Sequence, residues 1–189
     1  MNIFYLDSDP KVCAEMHLDK HVVKMIIEYA QLLSTAHRYL DGSESVRLSK
    51  TGRKQKWFAI ADNREHLLYN ATHINHPSAK WCRDSAANYV WLYNLFCALC
   101  DEYTYRYGKV HLTDQKMRQV LSHVPKNIDK KKSFEAPWRA MPDEVKIGSD
   151  SLASYRNYYI LNKASFAKWT KREVPLWFKQ GLNINNANV

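Results

Sequence analysis

The polar positions between His17 and His37 recur in steps of three and four residues: His17, His21, Lys24, Glu28, Gln31 and Thr35 fall in one line on a helix. Outside that line the segment from Val22 to Ala36 is nearly all apolar, with Val22, Val23, Met25, Ile26, Ile27, Tyr29, Ala30, Leu32 and Leu33. A surface helix gives roughly half its circumference to water, so the pattern predicts a core helix whose narrow polar seam faces a cleft. A His, a Lys and a Glu in that seam need partners or a solvated pocket, because unpaired buried charge costs several kcal/mol. Two readings follow: a Lys24 to Glu28 pair satisfied within the helix, or a functional constellation.

The same periodicities divide the rest of the chain. Asn2 to Leu6 is a short apolar run, read as a brief strand or an extended segment tucked against the core. Asp9-Pro10 starts a helix, with Asp as N-cap and Pro in the first turn. Asp19 can recap after a bend, so residues 10–17 and 19–40 form two helices or one, ended by Asp41-Gly42-Ser43. Residues 43–56 read as an exposed basic loop, residues 57–75 as a second helical pattern, and residues 78–107 as a long helix with Trp81, Tyr89, Leu92, Phe96 and Leu99 at helical spacing. Thr113 to Ser122 and Ser151 to Trp169 are further helices. Pro137 and Pro142 keep the intervening stretch irregular. The expectation is a mostly α, single-domain bundle over residues 1–182 with roughly five to six helices, a short N-terminal strand at most, and a flexible tail from Asn183 to Val189.

Composition adds one lead. The 189 residues carry 28 Lys and Arg against 19 Asp and Glu, a net charge of +9, and 13% aromatics; a polyanionic partner is the natural suspicion. Arg47, Lys50, Arg53 and Lys54 crowd the loop after the first long helix, Arg83 marks the start of the 78–107 helix, and Lys168 and Lys171 interleave with aromatics near the C-terminus. Trp138 sits in the proline-fixed loop, a candidate wall of the cleft. Cations for phosphate beside aromatics for stacking suit a nucleic-acid surface. No apolar run has membrane-spanning length, and Asp7 and Asp9 stand where a secretory leader carries Lys or Arg, so the expected location is the cytoplasm. Cys97-x-x-Cys100 lies in a helical apolar pattern without a second pair, so the four cysteines read as buried free thiols.

The chemistry the seam can do centres on Glu28. A carboxylate beside an amine supports Schiff-base chemistry on an aldehydic sugar. His17, Asp19, Lys20, His21, His37, His73 and His76 are the other candidate pocket groups, the last two at a loop junction before Pro77. His17 and His21, one turn apart, also admit a His/Asp metal-dependent hydrolase, though the Glu of the usual helical zinc motif is missing. A non-catalytic basic nucleic-acid-binding phage protein is the third reading. A Walker loop, a dinucleotide fingerprint and a serine nucleophile elbow are absent.

Asp19-Lys20-His21 followed by Glu28, near the N-terminus of a basic helical chain, resembles the phage pyrimidine-dimer DNA glycosylases of the endonuclease V type, as do the opening Asn2-Ile3-Phe4-Tyr5-Leu6-Asp7 and the Trp169 and Lys171 region. The resemblance implies an all-helical, cofactor-free DNA-repair glycosylase and AP lyase acting on damaged double-stranded DNA in the cytoplasm, the host's if viral. It implies Glu28 as the catalytic carboxylate, an amine from Lys24 or Met1 as nucleophile, His21 and His76 as pocket imidazoles, and a flipped or distorted nucleotide as substrate. The chain carries Ile3 and Ile27 where that family has arginines, and Asn2 where it exposes a smaller residue.

Overall fold

The computed structural model describes residues 1–49 and 51–187; Lys50, named above as a DNA contact, and the last two residues of the predicted tail lie outside them. The chain is 55% helical, with eight helices and a two-stranded antiparallel sheet among the described residues.

Helix α1 (Pro10–Met16) starts where expected: the Asp9 side chain accepts hydrogen bonds from the Lys11 and Val12 amides. His17 and Leu18 are extended, so a second helix, α2 (Asp19–Asp41), begins afresh. Helix α2 buries Val22, Met25, Ile26, Tyr29, Ala30, Leu32, Leu33 and Ala36 completely or nearly so. Its exposed strip is wider than the predicted seam, since Val23 and Ile27 open to solvent beside Lys20 and Lys24.

The largest departure lies between residues 43 and 75. The loop and second helix expected there are a hairpin, β1 (Ser43–Leu48) paired with β2 (Lys54–Ala59), then a short helix α3 (Arg64–Leu67) and extended chain. The reason sits on α2. Arg38, whose side chain is 2% exposed, donates to the carbonyls of Phe58, Glu65, Leu68 and Tyr69 and to the Glu65 carboxylate. Four of its five N–H groups thus satisfy carbonyls that would otherwise need a continuous helix, and the fifth holds the Glu65 carboxylate.

Ser85, extended at φ −148 and ψ 154, divides the predicted 78–107 helix into α4 (Pro77–Asp84) and α5 (Ala86–Tyr107). Gly108 closes α5 in the left-handed region at φ 66. The short α6 (Leu112–Met117) is capped by His111 rather than Thr113. The last pair, α7 (Ser151–Asn162) and α8 (Leu176–Ala187), completes the bundle; α8 runs into the segment read as a tail.

Residues 3–6 pair with no strand among the described residues. They are extended and buried in one apolar core that unites α1, α2, α4, α5, α7 and α8. Cys13, Cys82, Cys97 and Cys100 are free, and burial pushes the Cys13 thiol up to about 12. No helix of the described residues is long and apolar enough to cross a membrane.

Candidate active site around Glu28

The buried N-terminal segment carries the start of the chain to the middle of α2. Glu28 is there with a side chain 15% exposed, and its two oxygens hold different nitrogens. Lys24 Nζ, one turn earlier on the helix, lies 3.1 Å from Oε1, and the Asn2 backbone N–H donates to Oε2 at 3.4 Å.

The loop before α4 approaches the same carboxylate. Thr35 Oγ1 on α2 accepts from the Thr72 amide at 3.2 Å and donates to the Thr72 carbonyl, which fixes the strand of loop leading to His73 and His76. His73 is held at φ 48, a conformation rare outside glycine. His76 caps α4, its Nδ1 accepting from the Ser78 amide at 3.1 Å. Partial burial pushes the His76 imidazole down, the terminal ammonium and His73 add to this, and Glu28 opposes it. An ammonium, an ion-paired lysine, a carboxylate and two imidazoles therefore share one locality. Asn2 Oδ1 is buried beside them with no partner among the described residues.

His21 lies one turn before Lys24 and Lys163 faces it. Its ring stacks on Phe4 at 4.2 Å, and Nδ1 lies 2.6 Å from the Tyr159 hydroxyl. Burial foremost, then His17, Lys163 and Lys24, pushes its pKa down to about 2, so it is neutral at physiological pH. Lys163 Nζ reaches the Tyr158 hydroxyl, and the Tyr158 ring stacks on Phe4. The side of the site facing α7 is thus an aromatic wall with an ammonium at its rim.

Other predicted pocket groups are placed elsewhere. His17 is fully buried: Nδ1 donates to the Cys13 carbonyl at 2.7 Å, and Nε2 accepts from Tyr29 at 2.9 Å. Both nitrogens are spent, so a His17 and His21 metal pair has no free lone pair on its first member. No group of three or more His, Cys, Asp or Glu among the described residues is arranged to hold a metal ion. Asp19 accepts from Arg106 and twice from Thr170; these bonds outweigh burial and hold its carboxyl low. Lys20 projects over the Phe166 ring at 4.6 Å. His37 accepts from Arg64 at Nδ1 and donates from Nε2 to Tyr89, at the hairpin end of α2.

The basic residues named from sequence are spread over three surfaces. Arg47, Arg53 and Lys54 are on the hairpin or its turn, where Arg47 lies over the Trp57 ring at 4.3 Å. Arg83 is half-buried on α4 against the Tyr39 ring. Lys168 and Lys171 flank Trp169 beyond α7; Lys171 donates to the Tyr105 carbonyl at 3.0 Å, and the Lys168 carbonyl accepts from the Asp19 amide. Trp138 is 39% exposed on the loop before α7. The groups missed by sequence reasoning are Tyr29, which ties Phe4 to His17, and Asn2, Tyr158, Tyr159 and Lys163 around Glu28 and His21. A tyrosine inside an apolar stripe carries no periodic signal, and the contacts of Tyr158 and Tyr159 with Phe4 and His21 cross most of the chain.

No family model, curated protein or solved structure matches this chain.

Proposed function

We propose that this chain is a DNA-repair glycosylase and AP lyase for damaged pyrimidines, with an amine nucleophile and Glu28 as its proton-transfer group. The observation that carries the reading is the carboxylate of Glu28, one oxygen on Lys24 Nζ and the other on the Asn2 nitrogen, beside the terminal ammonium and His76. The nucleophile is Lys24 or the α-amine of the first residue. As a class α-amines are much weaker bases than lysine side chains, so a terminal amine holds the larger reactive neutral fraction near neutral pH.

In this reading the amine lone pair forms a bond to the sugar C1′ while the bond from C1′ to the base breaks, and the base leaves with a proton. The sugar ring opens to an iminium, O4′ taking a proton. Glu28 then removes a proton from C2′, and the electron pair expels the 3′ phosphate. Water hydrolyses the remaining imine and restores the amine. The Phe4, Tyr158 and Lys163 wall supplies stacking and a cation for a displaced nucleotide. The net charge of +9 supports double-stranded DNA as partner, in the cytoplasm of a cell or of a phage host.

Borohydride trapping on abasic and on ultraviolet-irradiated duplex DNA tests this. A covalent adduct is expected, reduced about 100-fold or more in Glu28→Gln, and peptide mapping of the adduct distinguishes the first residue from Lys24. Binding without adduct or nicking would leave a non-catalytic nucleic-acid-binding protein instead. Cleavage abolished by a chelator would favour the metal-dependent hydrolase.

A further inference from the structure

The hairpin is the one element of this fold that the core does not explain. All six residues of β1 and the first three of β2 are exposed, and only Phe58 near its base reaches the interior. A two-stranded ribbon alone is marginal in water, yet this one carries Val46 and Leu48 at 64% and 68% exposure. The register sets Val46 opposite Lys56 and Leu48 opposite Lys54, so two aliphatics and two lysines share one face. Arg47 and Trp57 lie on the other face. Glu44 is the single acid between Ser43 and Ala59, and it is taken by Lys56 at 2.6 Å. Arg47, Arg53 and Lys54 have no carboxylate at ion-pair distance among the described residues.

We infer that this ribbon is a DNA arm that enters the major groove of the duplex flanking the lesion. The groove is about 12 Å wide and admits a two-stranded ribbon, and it offers thymine methyls to aliphatic side chains while the flanking phosphates take the cations. The inference rests on the glycosylase reading for where the lesion sits. Along α2 from Glu28 to Asp41 the rise is about 20 Å, equal to about six base-pair steps at roughly 3.4 Å each. With α2 laid along the duplex, the base of the arm falls on one side of the lesion only, about six base pairs away. Arg38 and Gly42 hold it in that direction: Arg38 binds the Phe58 carbonyl, and at Gly42 the backbone passes too close to the Arg38 carbonyl for a Cβ.

Two measurements test the arm. In the first, a variant with Arg47→Gln, Arg53→Gln and Lys54→Gln, all exposed positions, is compared with the wild type for equilibrium binding to a long duplex bearing a reduced abasic-site analogue. Loss of three phosphate contacts lowers the slope of log affinity against log salt by about 2.7, so between about 50 and 200 mM salt the variant loses about 40-fold less affinity than the wild type. In the second, wild-type protein is given duplexes whose arm on one side of the lesion is cut below about six base pairs. Cutting one side, not the other, should bring the wild type to the variant's affinity and leave the variant unchanged. An unchanged salt slope overturns the inference, as does equal loss from either truncation. Equal arm-dependent binding to double-stranded RNA does so too, since its major groove is too narrow for side chains. Borohydride trapping is read separately: a wild type that binds with this arm dependence but traps nothing refutes the glycosylase reading and leaves the arm standing.

Discussion

Replacing Arg38 by Met keeps an unbranched chain of similar bulk in the interior and removes the hydrogen bonds by which Arg38 ties the segment 58–69 to α2, leaving those of Arg64 to His37 and Asp41. Five bonds of 2.7 to 3.1 Å disappear, two to the Glu65 carbonyl and carboxylate and three to the carbonyls of Phe58, Leu68 and Tyr69. At about 1.5 to 3 kcal/mol for each bond to a charged donor, a simple sum exceeds the stability of most domains, so the five cannot be additive. The better guide is the loss of one partner from a buried ion pair, about 3 to 5 kcal/mol. For a chain of this size that corresponds to a fall in Tm of about 10 °C or more. Urea and thermal unfolding followed by circular dichroism measure the loss. Amide exchange locates it, with the Ile60 amide, now bonded to Glu65 at 2.8 Å, among the first to lose protection. Arg38→Lys keeps the charge but offers three donors without the planar fork, and should fall between the two. A loss under about 1 kcal/mol in Arg38→Met, or equal losses in Met and Lys variants, would refute the view that the guanidinium organises this segment.

Three further expectations concern stability. His17 and His37 titrate near 4 and His21 near 2 because burial opposes their charged forms, so each binds its proton in the unfolded chain first. The stability they permit is complete above their ordinary value of about 6.5 and is lost as pH falls through the acid range, by at most about 4 kcal/mol per pH unit for the three together. Urea midpoints between pH 7.5 and 5 should show this, and His17→Gln should flatten the slope. Arg106→Leu takes from Glu102, whose side chain is 3% exposed, one of its two arginines and leaves Asp19 held by Thr170 alone; because Arg172 still pairs Glu102, a loss of about 1.5 to 3 kcal/mol is expected, as equilibrium unfolding can show. Gly42→Ala drives a Cβ against the Arg38 carbonyl, a backbone atom that cannot rotate away, and should cost about 1 to 3 kcal/mol in the same assay while leaving amides of α5 protected.

Helices α1, α2 and α5 were legible because caps and apolar periodicity agree there. Asp9-Pro10 and Gly108 punctuate where the chain turns. The hairpin was not, although Val46 and Leu48 alternate with polar residues, because its lysines and arginines mask a six-residue pattern and its fold depends on a guanidinium supplied from Arg38. The split of α4 from α5 at Ser85 also escaped periodicity, since apolar positions continue in step across the break. Around Glu28, the residue types were visible and their meeting was not. Asn2 is 26 residues from its carboxylate and His21 is 138 residues from the tyrosine it bonds, separations to which a local pattern is blind.

Residues 3–6, buried without a strand partner among the described residues, bear on how the molecule is made. They are synthesised well before α7, yet the Leu6 carbonyl waits for Arg156 and the Phe4 ring for Tyr155 and Tyr159. Until α7 has been synthesised, the opening segment can lie against α1, α2 and α5, through Cys13, His21, Tyr29 and Trp91, and its α7 side stays open. Closure of so long a loop is slow by its topology. Folding intermediates trapped before it should hold α2 and α5 formed, with the Phe4 ring still open to solvent on the side that Tyr155 and Tyr159 cover.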